Sequence, residues 1–461
     1  MPNTQIDRSI FKAYDIRGIY PGQLDEDAAY QIARAYATLL ISENPDKPLT
    51  VGVGSDMRLS SPSLKAKVIE GLMDSGVNVE HLGLVSTPTF YFAVARNGYD
   101  GGLQVSASHN PKEWNGLKMV RRNAVPVSGD TGIQAIRELI EKSDLPPAAE
   151  ARGKLTERDG SVEDEVEAVL LLAETASIKP FRIVIDGANS MGSEDMLALF
   201  KKIPATLVPM NFELDGNFPA HEADPMKPEN TQALCDRVVA EKADLGIAPD
   251  GDGDRYFFVT EQGRVLPQAI LRGLMAQIEL KEHPGAKVAY DIRPGRITRD
   301  MIEEFGGQAI VTPVGHSLIK EIMIREDAIF GGESSGHYFY KLPFGTFECP
   351  MLLVIKLLKY LSEQGKPFSE VMKPFMRYAH SGEINTKVGT RQEAMSKIEA
   401  VKAKYKDGRQ IFVDGVTIEY PDYWFNLRTS NTEPVIRLTV EARSQDLMQE
   451  KTKELLDLIR A

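Results

Sequence analysis

The sequence predicts an α/β protein in which one unit occurs three times and is followed by a smaller α+β domain. Apolar strand-like runs alternate with amphipathic helical patterns through the first three quarters of the chain. In each cycle an early strand ends in a polar turn and a later strand ends in a glycine-rich loop, which indicates a diverged internal repeat. From about Pro374 the pattern changes to short alternating strands and one final amphipathic helix.

Length and composition limit the class of protein. A chain of 461 residues exceeds the size at which one hydrophobic core keeps growing, so we expect three or four domains. The apolar content of 42% is typical of globular proteins, and no apolar run approaches the length that spans a bilayer. The N-terminus lacks the pattern of a signal peptide, and Cys235 and Cys349 are too few for a disulfide framework or a zinc site. We therefore expect a cytoplasmic protein without a membrane partner.

The formal net charge of -12 argues against a nucleic-acid partner, because binding to a phosphate backbone needs a basic surface. Basic residues do occur in the glycine-rich loops. In an acidic protein, that placement favours a small anionic ligand.

The first cycle opens with Arg17 before Gly18, a position that suits either a surface turn or a functional loop. Its elements follow from periodicity, with Pro62 suited to the first turn of a helix. In order, they are predicted as a helix from about Asp25 to Leu40, a strand from Leu49 to Gly54 that ends in Ser-Asp-Met-Arg, a helix from Ser61 to Ser75, a strand from Val77 to Glu80 and a helix from Asp130 to Ser143.

The second and third cycles follow a polar, proline-bearing segment from Pro146 to Gly160, which is a candidate linker. The predicted elements are strands Phe181 to Ile185, Leu245 to Ile247, Lys287 to Tyr290 and Ala328 to Phe330, with a helix ending near Phe200. Two of these strands end in polar turns, Asp186 to Asn189 and Asp291 to Arg293. Ligands of such sheets bind beyond the carboxyl ends of strands, where the loops lie.

The last domain is predicted from strands Ile384 to Val388, Gln410 to Val413, Val416 to Tyr420, Trp424 to Leu427 and Val435 to Ala442, and from a helix Ser444 to Ile459. We therefore place domains at residues 1–150, 151–256, 257–370 and 371–461.

The stretch from Gly101 to Lys118 is interpreted as a loop, because Pro111 and Gly116 interrupt regular structure. Ser108 lies within it, close in sequence to His109, Lys112 and Lys118. A hydroxyl among groups that accept a proton or neutralise an anion indicates a nucleophile or a phosphate acceptor. The alternative is an ordinary Ser/Asn/Pro turn.

Asp250, Asp252 and Asp254 alternate with glycines and precede Arg255. Carboxylates this close repel one another unless a cation neutralises them, and hard divalent cations prefer oxygen ligands, so we predict a Mg²⁺ site. An EF-hand calcium loop is an alternative, with Glu261 at its twelfth position, and a solvated acidic turn is another. Arg255 at the position of the EF-hand glycine and a strand-like run after it argue against calcium.

Three further loops carry polar groups. Gly332 to His337 offers Glu333 and Ser335 to the hydroxyls of a polyol, with His337 available for proton transfer or as a structural residue. His316 follows a glycine turn that also suits the start of a helix. Arg428 to Pro434 combines an arginine, hydroxyls and an amide, which is typical of a phosphate site but also of a plain turn.

Four loops of this kind, in this order, resemble those of the α-D-phosphohexomutase family. The resembling motifs are Ser-Ala-Ser-His-Asn-Pro, Asp-Gly-Asp-Gly-Asp-Arg, Gly-Glu-Ser-Ser-Gly-His and Arg-Thr-Ser-Asn-Thr-Glu-Pro. The resemblance covers essentially the whole chain and points to the phosphomannomutase/phosphoglucomutase branch. It implies a four-domain phosphohexomutase architecture, with three repeated mixed α/β domains and a C-terminal α+β domain around a central cleft.

The resemblance also implies the chemistry. Ser108 would carry a phosphoryl group and, with the three aspartates, bind Mg²⁺. Phosphoryl transfer between the 1- and 6-positions of mannose or glucose phosphates would pass through a hexose 1,6-bisphosphate, which is also the activator. The implied catalytic residues are Ser108, His109, Lys118, Arg17 and His337. The implied substrate-binding residues are Tyr14, Arg255, Arg293, His316, Glu333, Ser335, Arg428, Ser430, Asn431 and Thr432. The implied partners are small hexose phosphates, for a monomer or a small homo-oligomer.

Some positions depart from the family pattern and leave the preferred hexose open. Ser106 stands where relatives often carry threonine, Arg293 stands where some carry lysine, and the segment from Phe344 to Pro350 is unusual. His316 resembles the mannose/glucose branch. A phosphoglucosamine mutase and a non-catalytic sugar-phosphate-binding protein stay as alternatives, and the general base is not assigned.

Overall fold

The structure is a computed structural model that describes residues 6–173, 175–293, 295–429 and 435–460. The chain divides into two compact units. Unit 1 comprises Met1–Leu266 and Ser335–Ser369, and unit 2 comprises Pro267–Ser334 and Glu370–Ala461. Within the described ranges no helix is long and apolar enough to cross a membrane. The boundaries of the four domains and the cytoplasmic location stay predictions.

The N-terminal part of unit 1 is built on a seven-stranded sheet. Its strands are β1 (Ile16–Ile19), β2 (Thr50–Ser55), β3 (Asn78–Leu84), β4 (Gly101–Val105), β5 (Trp114–Arg121), β6 (Val125–Pro126) and β7 (Leu155–Glu157). Its helices are α1 (Glu26–Glu43), α2 (Ser61–Asp74), α3 (Thr87–Arg96) and α4 (Gln134–Glu141). The strand order is β1-β5-β4-β2-β3-β7, with β6 beside β5, and β2 is parallel to both β3 and β4. Side chains of α1, α2, β2 and β4 form one buried apolar core.

The interpretation of Gly101 to Lys118 as a single loop is wrong. Strands β4 and β5 occupy both ends of the stretch and pair antiparallel, so the loop is confined to residues 106–113. Pro111 interrupts only this connection. Buried Leu117 and Met119 give β5 the apolar positions of a central strand, which places Lys118 on a strand.

Two other elements of this region differ from the expectation. The predicted helix from Asp130 begins with a π-helical turn, Gly129–Ile133, before α4 starts. The segment expected as a linker contains β7, which pairs with β3 along the sheet edge.

A second, four-stranded sheet completes the parallel part of unit 1. Its elements are α5 (Ser161–Leu172), β8 (Arg182–Asp186), α6 (Gly192–Phe200), β9 (Thr206–Met210), α7 (Pro228–Ala240), β10 (Leu245–Pro249) and β11 (Tyr256–Thr260). The order is β11-β10-β8-β9, in which β10 is parallel to β8 and antiparallel to β11. The aspartate loop therefore connects two strands, as the sequence predicts, and not the two helices of an EF-hand.

The first part of unit 2 repeats the helix and strand alternation. It contains α8 (Gln268–Glu282), β12 (Lys287–Asp291), α9 (Arg296–Glu304), β13 (Gln308–Thr312), α10 (His316–Glu326) and β14 (Phe330–Gly332). Strand β12 is parallel to β13 and β14, so their carboxyl ends lie at one edge. The chain then returns to unit 1 with the hairpin of β15 (Tyr338–Leu342) and β16 (Gly345–Glu348) and with α11 (Pro350–Gln364), and α12 (Phe368–Met372) leads back to unit 2.

The C-terminal part of unit 2 is an antiparallel sheet with two helices. Its elements are β17 (Ala379–Lys387), α13 (Arg391–Lys404), β18 (Arg409–Ile411), β19 (Val416–Glu419), β20 (Tyr423–Thr429), β21 (Val435–Ala442) and α14 (Gln445–Arg460). The order is β17-β21-β20-β19-β18. All five predicted strands are confirmed. Helix α13 was not predicted, because its charged sequence buries only Ala394, Ile398 and Val401.

Candidate active site

The Ser108 loop is held by a buried arginine, Arg58, which follows strand β2. Its Nη2 donates to the carbonyl oxygens of Ser108 and Asn110 at 2.7 and 2.6 Å. Its Nη1 donates to those of Pro111 and Trp114 at 2.7 and 3.0 Å. Its Nε pairs with an Asp56 carboxylate oxygen at 3.2 Å. All five N–H groups of the guanidinium are thus used, four of them on backbone carbonyls of this loop and its end.

The hydroxyl of Ser108 faces the aspartate loop. Its Oγ donates to Asp250 Oδ2 at 3.0 Å and lies 3.1 Å from His109 Nδ1. Ser108 adopts a φ of 53°, in the left-handed region, and its N–H donates to Ser106 Oγ at 3.0 Å. Gly251 is required beside it, because a Cβ there would lie 2.3 Å from the Ser108 carbonyl oxygen. The Ser108 loop and the aspartate loop therefore fit each other only with glycine at position 251.

The three aspartates are fully buried, and each offers a carboxylate oxygen within 4.8 Å of the others. Burial, together with the charges of Asp254 and Asp252, raises the pKa of Asp250 to about 8. Asp250 Oδ1 accepts from the backbone N–H groups of Asp254 and Arg255 at 3.1 and 3.2 Å, which fixes the loop around it. A raised pKa in this position indicates more buried negative charge than the protein groups compensate.

Lys118 is the basic partner of the loop. Its Nζ, on β5, donates to Asp252 Oδ2 and to Asp254 Oδ2 at 2.6 Å each. Burial opposes its charge, but the two carboxylates raise the pKa of Lys118 well above its usual value. For Asp254, burial is likewise outweighed by Lys118 and His337, which hold its pKa well below the usual range. Lys118 and Asp254 are therefore charged.

Three more predicted residues surround this centre. Arg17 donates to Asn110 Oδ1 at 2.6 Å and pairs with Asp15, which places it on the Ser108 loop. His337 Nε2 lies 3.1 Å from Asp254 Oδ1. Arg255 Nε lies 3.4 Å from His337 Nε2.

His109 and Ser335 complete the group in unit 1. Burial and the positive charges of Arg255 and Arg17 lower the pKa of His109 well below its usual value, so its imidazole is neutral at pH 7. Ser335 Oγ lies 2.9 Å from His337 Nδ1. Tyr14 is half-buried in the segment before β1.

The donor set of the aspartate loop fits a hard divalent cation. Asp252 Oδ1 is buried and accepts no hydrogen bond from any residue in the described ranges. Three carboxylates and a serine hydroxyl are oxygen ligands of the kind that Mg²⁺ binds. Although Lys118, Arg255 and His337 lie beside the three carboxylates, the pKa of Asp250 stays raised, which indicates negative charge that a cation would neutralise.

A separate pair of acidic residues, Glu165 and Asp195, is also buried in unit 1. Glu165 on α5 accepts from Thr89 Oγ1 at 2.6 Å, and Asp195 on α6 lies 3.4 Å from the same hydroxyl. Burial raises the pKa of Asp195 to about 7, and burial with the neighbouring Asp195 raises that of Glu165 to about 8. The pair therefore keeps a proton at neutral pH.

Unit 2 holds the remaining predicted residues around Asp291, at the end of β12. Arg293 Nε and Arg272 Nη1 donate to this carboxylate at 2.6 and 2.9 Å. Burial opposes the charge, but Arg293 and Arg272 lower the pKa of Asp291. Ser334 donates to Asp291 through both its N–H and its hydroxyl. The turn before Ser335 is thus tied to the end of β12.

Glu333 is buried, and its Oε1 accepts the N–H of Gly315 at 2.7 Å. His316, the next residue, is the first of α10. Arg428 lies near the end of β20 and pairs with Glu383 at 2.5 Å. The predicted residues Ser430, Asn431 and Thr432 lie outside the described residues.

Sequence reasoning missed residues that act through the backbone. Arg58 could have been suspected, because Ser-Asp-Met-Arg follows the carboxyl end of a predicted strand. Thr87 donates to Asp252 Oδ2 at 2.6 Å, and helix α3, in whose first turn it lies, was not predicted either. Nothing in the sequence singled out Glu165 or Asp195.

Comparison with known proteins covers the whole chain. Four family models match in order: the phosphoglucomutase/phosphomannomutase alpha/beta/alpha domains I, II and III at residues 8–146, 163–263 and 269–378, and the C-terminal domain at 383–458. The chain belongs to the phosphoglucomutase/phosphomannomutase family. The architecture of four domains implied by the sequence motifs is therefore confirmed.

Relatives of this family align over nearly the full length. A phosphomannomutase of Escherichia coli is 39% identical over 98% of this chain and 99% of its own. One of Methanocaldococcus jannaschii is 37% identical over 98% of both chains. The crystal structure of a phosphoglucomutase/phosphomannomutase family protein from Burkholderia thailandensis superposes with a TM-score of 0.89, at 32% identity over 99% of this chain and 98% of that one. The chain is accordingly an enzyme of the phosphohexose mutase class, an isomerase.

Proposed function

We propose that this phosphohexose mutase moves a phosphoryl group reversibly between the 1- and 6-positions of mannose or glucose phosphates, with Ser108 as the carrier. The observation that carries the proposal is the position of Ser108 Oγ, which donates to Asp250 in a cluster of three buried aspartates beside Lys118. A serine in a purely structural turn needs neither a strained φ nor this charge.

Each half of the reaction transfers one phosphoryl group, so that none is gained or lost over the whole cycle. In the first half, the bond between phosphorus and Ser108 Oγ breaks, and a bond forms to the free hydroxyl of the sugar monophosphate, giving the 1,6-bisphosphate. In the second half, the other phosphate of the bisphosphate returns to Ser108. A bisphosphate supplied from outside would phosphorylate Ser108 and so activate the enzyme.

Ser108, Asp250, Asp252 and Asp254 are the residues that would hold Mg²⁺, which neutralises charge on the transferring group when bound. Lys118 donates to Asp252 and Asp254 and lowers the pKa of Asp254. Arg17 carries a positive charge on the Ser108 loop, where it stabilises phosphate oxygens.

Proton transfer needs a group that is neutral and within reach of Ser108 Oγ. His109 meets both conditions at 3.1 Å, so we propose that it accepts the proton of the Ser108 hydroxyl when the phosphoryl group returns and gives that proton back to Ser108 Oγ when the group leaves. The hydroxyl of the sugar loses its proton to a second group, for which His337 is our candidate. Its imidazole is held between Ser335 and Asp254.

The sugar and its distal phosphate are assigned to residues of the other loops. The carboxylate of Glu333 would accept hydrogen bonds from sugar hydroxyls, and the hydroxyl of Ser335 would donate a hydrogen bond to them. Tyr14, Arg255, Arg293 and His316 would contact the substrate. The distal phosphate is assigned to Arg428, Ser430, Asn431 and Thr432. Mannose and glucose are proposed because relatives over the full chain are named phosphomannomutases.

Replacement of Ser108 tests the proposal directly. Ser108→Ala should lower kcat for mannose 1-phosphate and glucose 1-phosphate at least about 10³-fold, because the carrier is lost. The purified protein should carry one phosphoryl group by intact-mass spectrometry, and sugar phosphate should remove it. Ser362→Ala, a buried serine of α11, is the matched control and should keep both activity and phosphorylation.

Three outcomes would contradict the proposal. Turnover retained in Ser108→Ala excludes this serine as carrier. A folded protein that binds sugar phosphates but takes no phosphoryl group from glucose 1,6-bisphosphate would be a binding protein. Turnover of glucosamine 1-phosphate above that of the other sugars would replace the proposed substrates.

A further inference from the structure

The first turn of α3 contacts the aspartate loop through one residue, Thr87. Its hydroxyl donates to Asp252 Oδ2 at 2.6 Å, and its N–H donates to the carbonyl oxygen of Asp252 at 2.9 Å. Both residues are fully buried. Because one threonine holds both the side chain and the backbone of Asp252, it fixes the orientation of the carboxylate relative to the loop.

The two carboxylate oxygens of Asp252 have different contacts. Oδ2 accepts from Thr87 Oγ1 and from Lys118 Nζ, whereas Oδ1 is buried and accepts no hydrogen bond from the residues that the structure describes. A buried acceptor left without a donor is destabilising, and more so if it is charged. Oδ1 is therefore the oxygen available to a cation.

Lys118 alone does not define this orientation. An ammonium on a flexible stem acts as a compact charge and sets no angle for its acceptor. The hydroxyl of Thr87 is on a β-branched side chain with few rotamers, at the start of a helix. The threonine therefore supplies the direction that the lysine lacks.

Helix α3 is anchored on another side, so Thr87 does not depend on Asp252 for its position. Ser86 caps the helix by accepting the N–H of Thr89 at 3.2 Å, and Thr89 Oγ1 donates to Glu165 on α5. Asp195 on α6 lies beside the same hydroxyl. Two buried acids thus hold the turn that presents Thr87.

We propose that Thr87 is a positioning residue of the cation site, whose hydroxyl holds Asp252 so that Oδ1 faces the metal. The inference rests on the proposed function, in which Asp252 binds Mg²⁺. Hydrogen-bond partners of ligating carboxylates typically change metal affinity by about 10- to 100-fold.

Two substitutions separate the hydroxyl of Thr87 from its shape. Thr87→Val keeps the branched side chain and the N–H but lacks the hydroxyl, whereas Thr87→Ser keeps the hydroxyl. The dissociation constant of Mn²⁺ is measured on the full chain by electron paramagnetic resonance, without sugar phosphate. We expect binding to weaken about 10- to 100-fold in Thr87→Val and less than about threefold in Thr87→Ser.

Thr231→Val is the matched control. Thr231 is buried in the first turn of α7, where its hydroxyl donates to the carbonyl oxygen of Pro228, so its loss should leave Mn²⁺ affinity unchanged. Thermal unfolding in EDTA verifies that each variant is folded before metal is added. If Thr87→Val does not fold, Thr87→Ala against Thr87→Ser makes the same comparison.

The outcomes distinguish this inference from the proposed function. Equal Mn²⁺ affinity in Thr87→Val and the unsubstituted protein overturns the role of Thr87 and leaves the metal site intact. Equal loss in the serine and valine variants overturns it too, because the hydroxyl would then be irrelevant. An unsubstituted protein that binds no Mn²⁺ contradicts the metal site itself, and this inference with it.

Discussion

Two groups of buried acidic side chains in unit 1 are linked to the first turn of α3. The aspartate loop is joined to the turn through Thr87, and the pair of Glu165 and Asp195 through Thr89. The aspartate loop includes a lysine and a histidine among its partners, whereas the pair has the hydroxyls of Thr89 and Ser86. The comparison isolates what a basic partner does for a buried carboxylate.

The pKa values of Asp254 and Glu165, one from each cluster, shift in opposite directions. Burial is outweighed by Lys118 at Asp254, whose pKa is lowered, while burial and Asp195 raise the pKa of Glu165. Asp254 therefore stays ionised beside a basic partner, whereas the pair of Glu165 and Asp195 retains a proton. In the aspartate loop, Asp250, whose pKa is raised to about 8, is the carboxylate that a bound cation would keep charged.

The largest effect is expected from removing the basic partner of the aspartate loop. Lys118→Met leaves Asp252 and Asp254 buried without their cation, which should cost about 3–5 kcal/mol of unfolding free energy in EDTA. Turnover should fall by about 10²–10³, because positive charge beside the transferring group is lost. Urea unfolding and initial rates measure the two effects.

Adding Mg²⁺ to Lys118→Met provides a second test of the role of this lysine. The metal should recover part of the stability of Lys118→Met, since it supplies positive charge to the same carboxylates. Lys356→Met removes a buried lysine of α11 and should keep turnover and show no recovery with Mg²⁺. Full activity of Lys118→Met would show that the lysine is only structural.

The second prediction concerns pH and the Glu165 pair. The pKa of Glu165 is raised to about 8 in the folded protein, so the folded state keeps a proton that the unfolded chain releases above its ordinary value of 4.5. Stability from this proton is fully present below about pH 4.5 and is lost as the pH rises through about 8. Glu165→Gln should remove this loss, on the order of 2 kcal/mol between pH 5.5 and 8.5.

Urea unfolding at the two pH values measures the difference. Glu167→Gln, an exposed position on the same helix, should keep the pH dependence of the unsubstituted protein. If Glu165→Gln loses as much stability with rising pH as the unsubstituted protein does, the pair does not share a proton.

The smallest effect is expected at Thr89. Thr89→Val removes one hydrogen bond to Glu165, and should lower the unfolding free energy by about 1 kcal/mol, because the acid it leaves is protonated at neutral pH. A loss as large as that of Lys118→Met would mean that the pair is ionised and that the contrast between the two clusters is wrong. Urea unfolding at pH 7 decides this.

The sequence predicted the parts of the fold and site that are local in the chain. Apolar periodicity identified most strands, and the spacing of Asp250, Asp252 and Asp254 identified a loop whose carboxylates do converge. It failed where a contact depends on distant residues. Lys118 was assigned to a loop because Pro111 and Gly116 stood nearby, yet the pairing of β5 with β1 and β4 overrides those residues.

The residues missed by the sequence share a physical reason. Arg58 donates hydrogen bonds to backbone carbonyls. Because every residue has a backbone carbonyl, the sequence does not indicate which residues are its partners. Glu165 lies among acidic neighbours on α5 and looks like part of a solvated face, and only tertiary packing shows that it is buried. Burial of a polar group becomes recognisable only when the elements that cover it are known.

The dependence of the Ser108 loop on Arg58 has a consequence for how this segment can be exchanged between proteins. Residues 106–113 are not a portable module, because four carbonyl groups in and beside them are saturated by one guanidinium fifty positions upstream. A chimaera that contains the sequence of this loop without Arg58 and Asp56 should not adopt the same loop conformation. Any transplantation of this segment must therefore carry the end of β2 along with it.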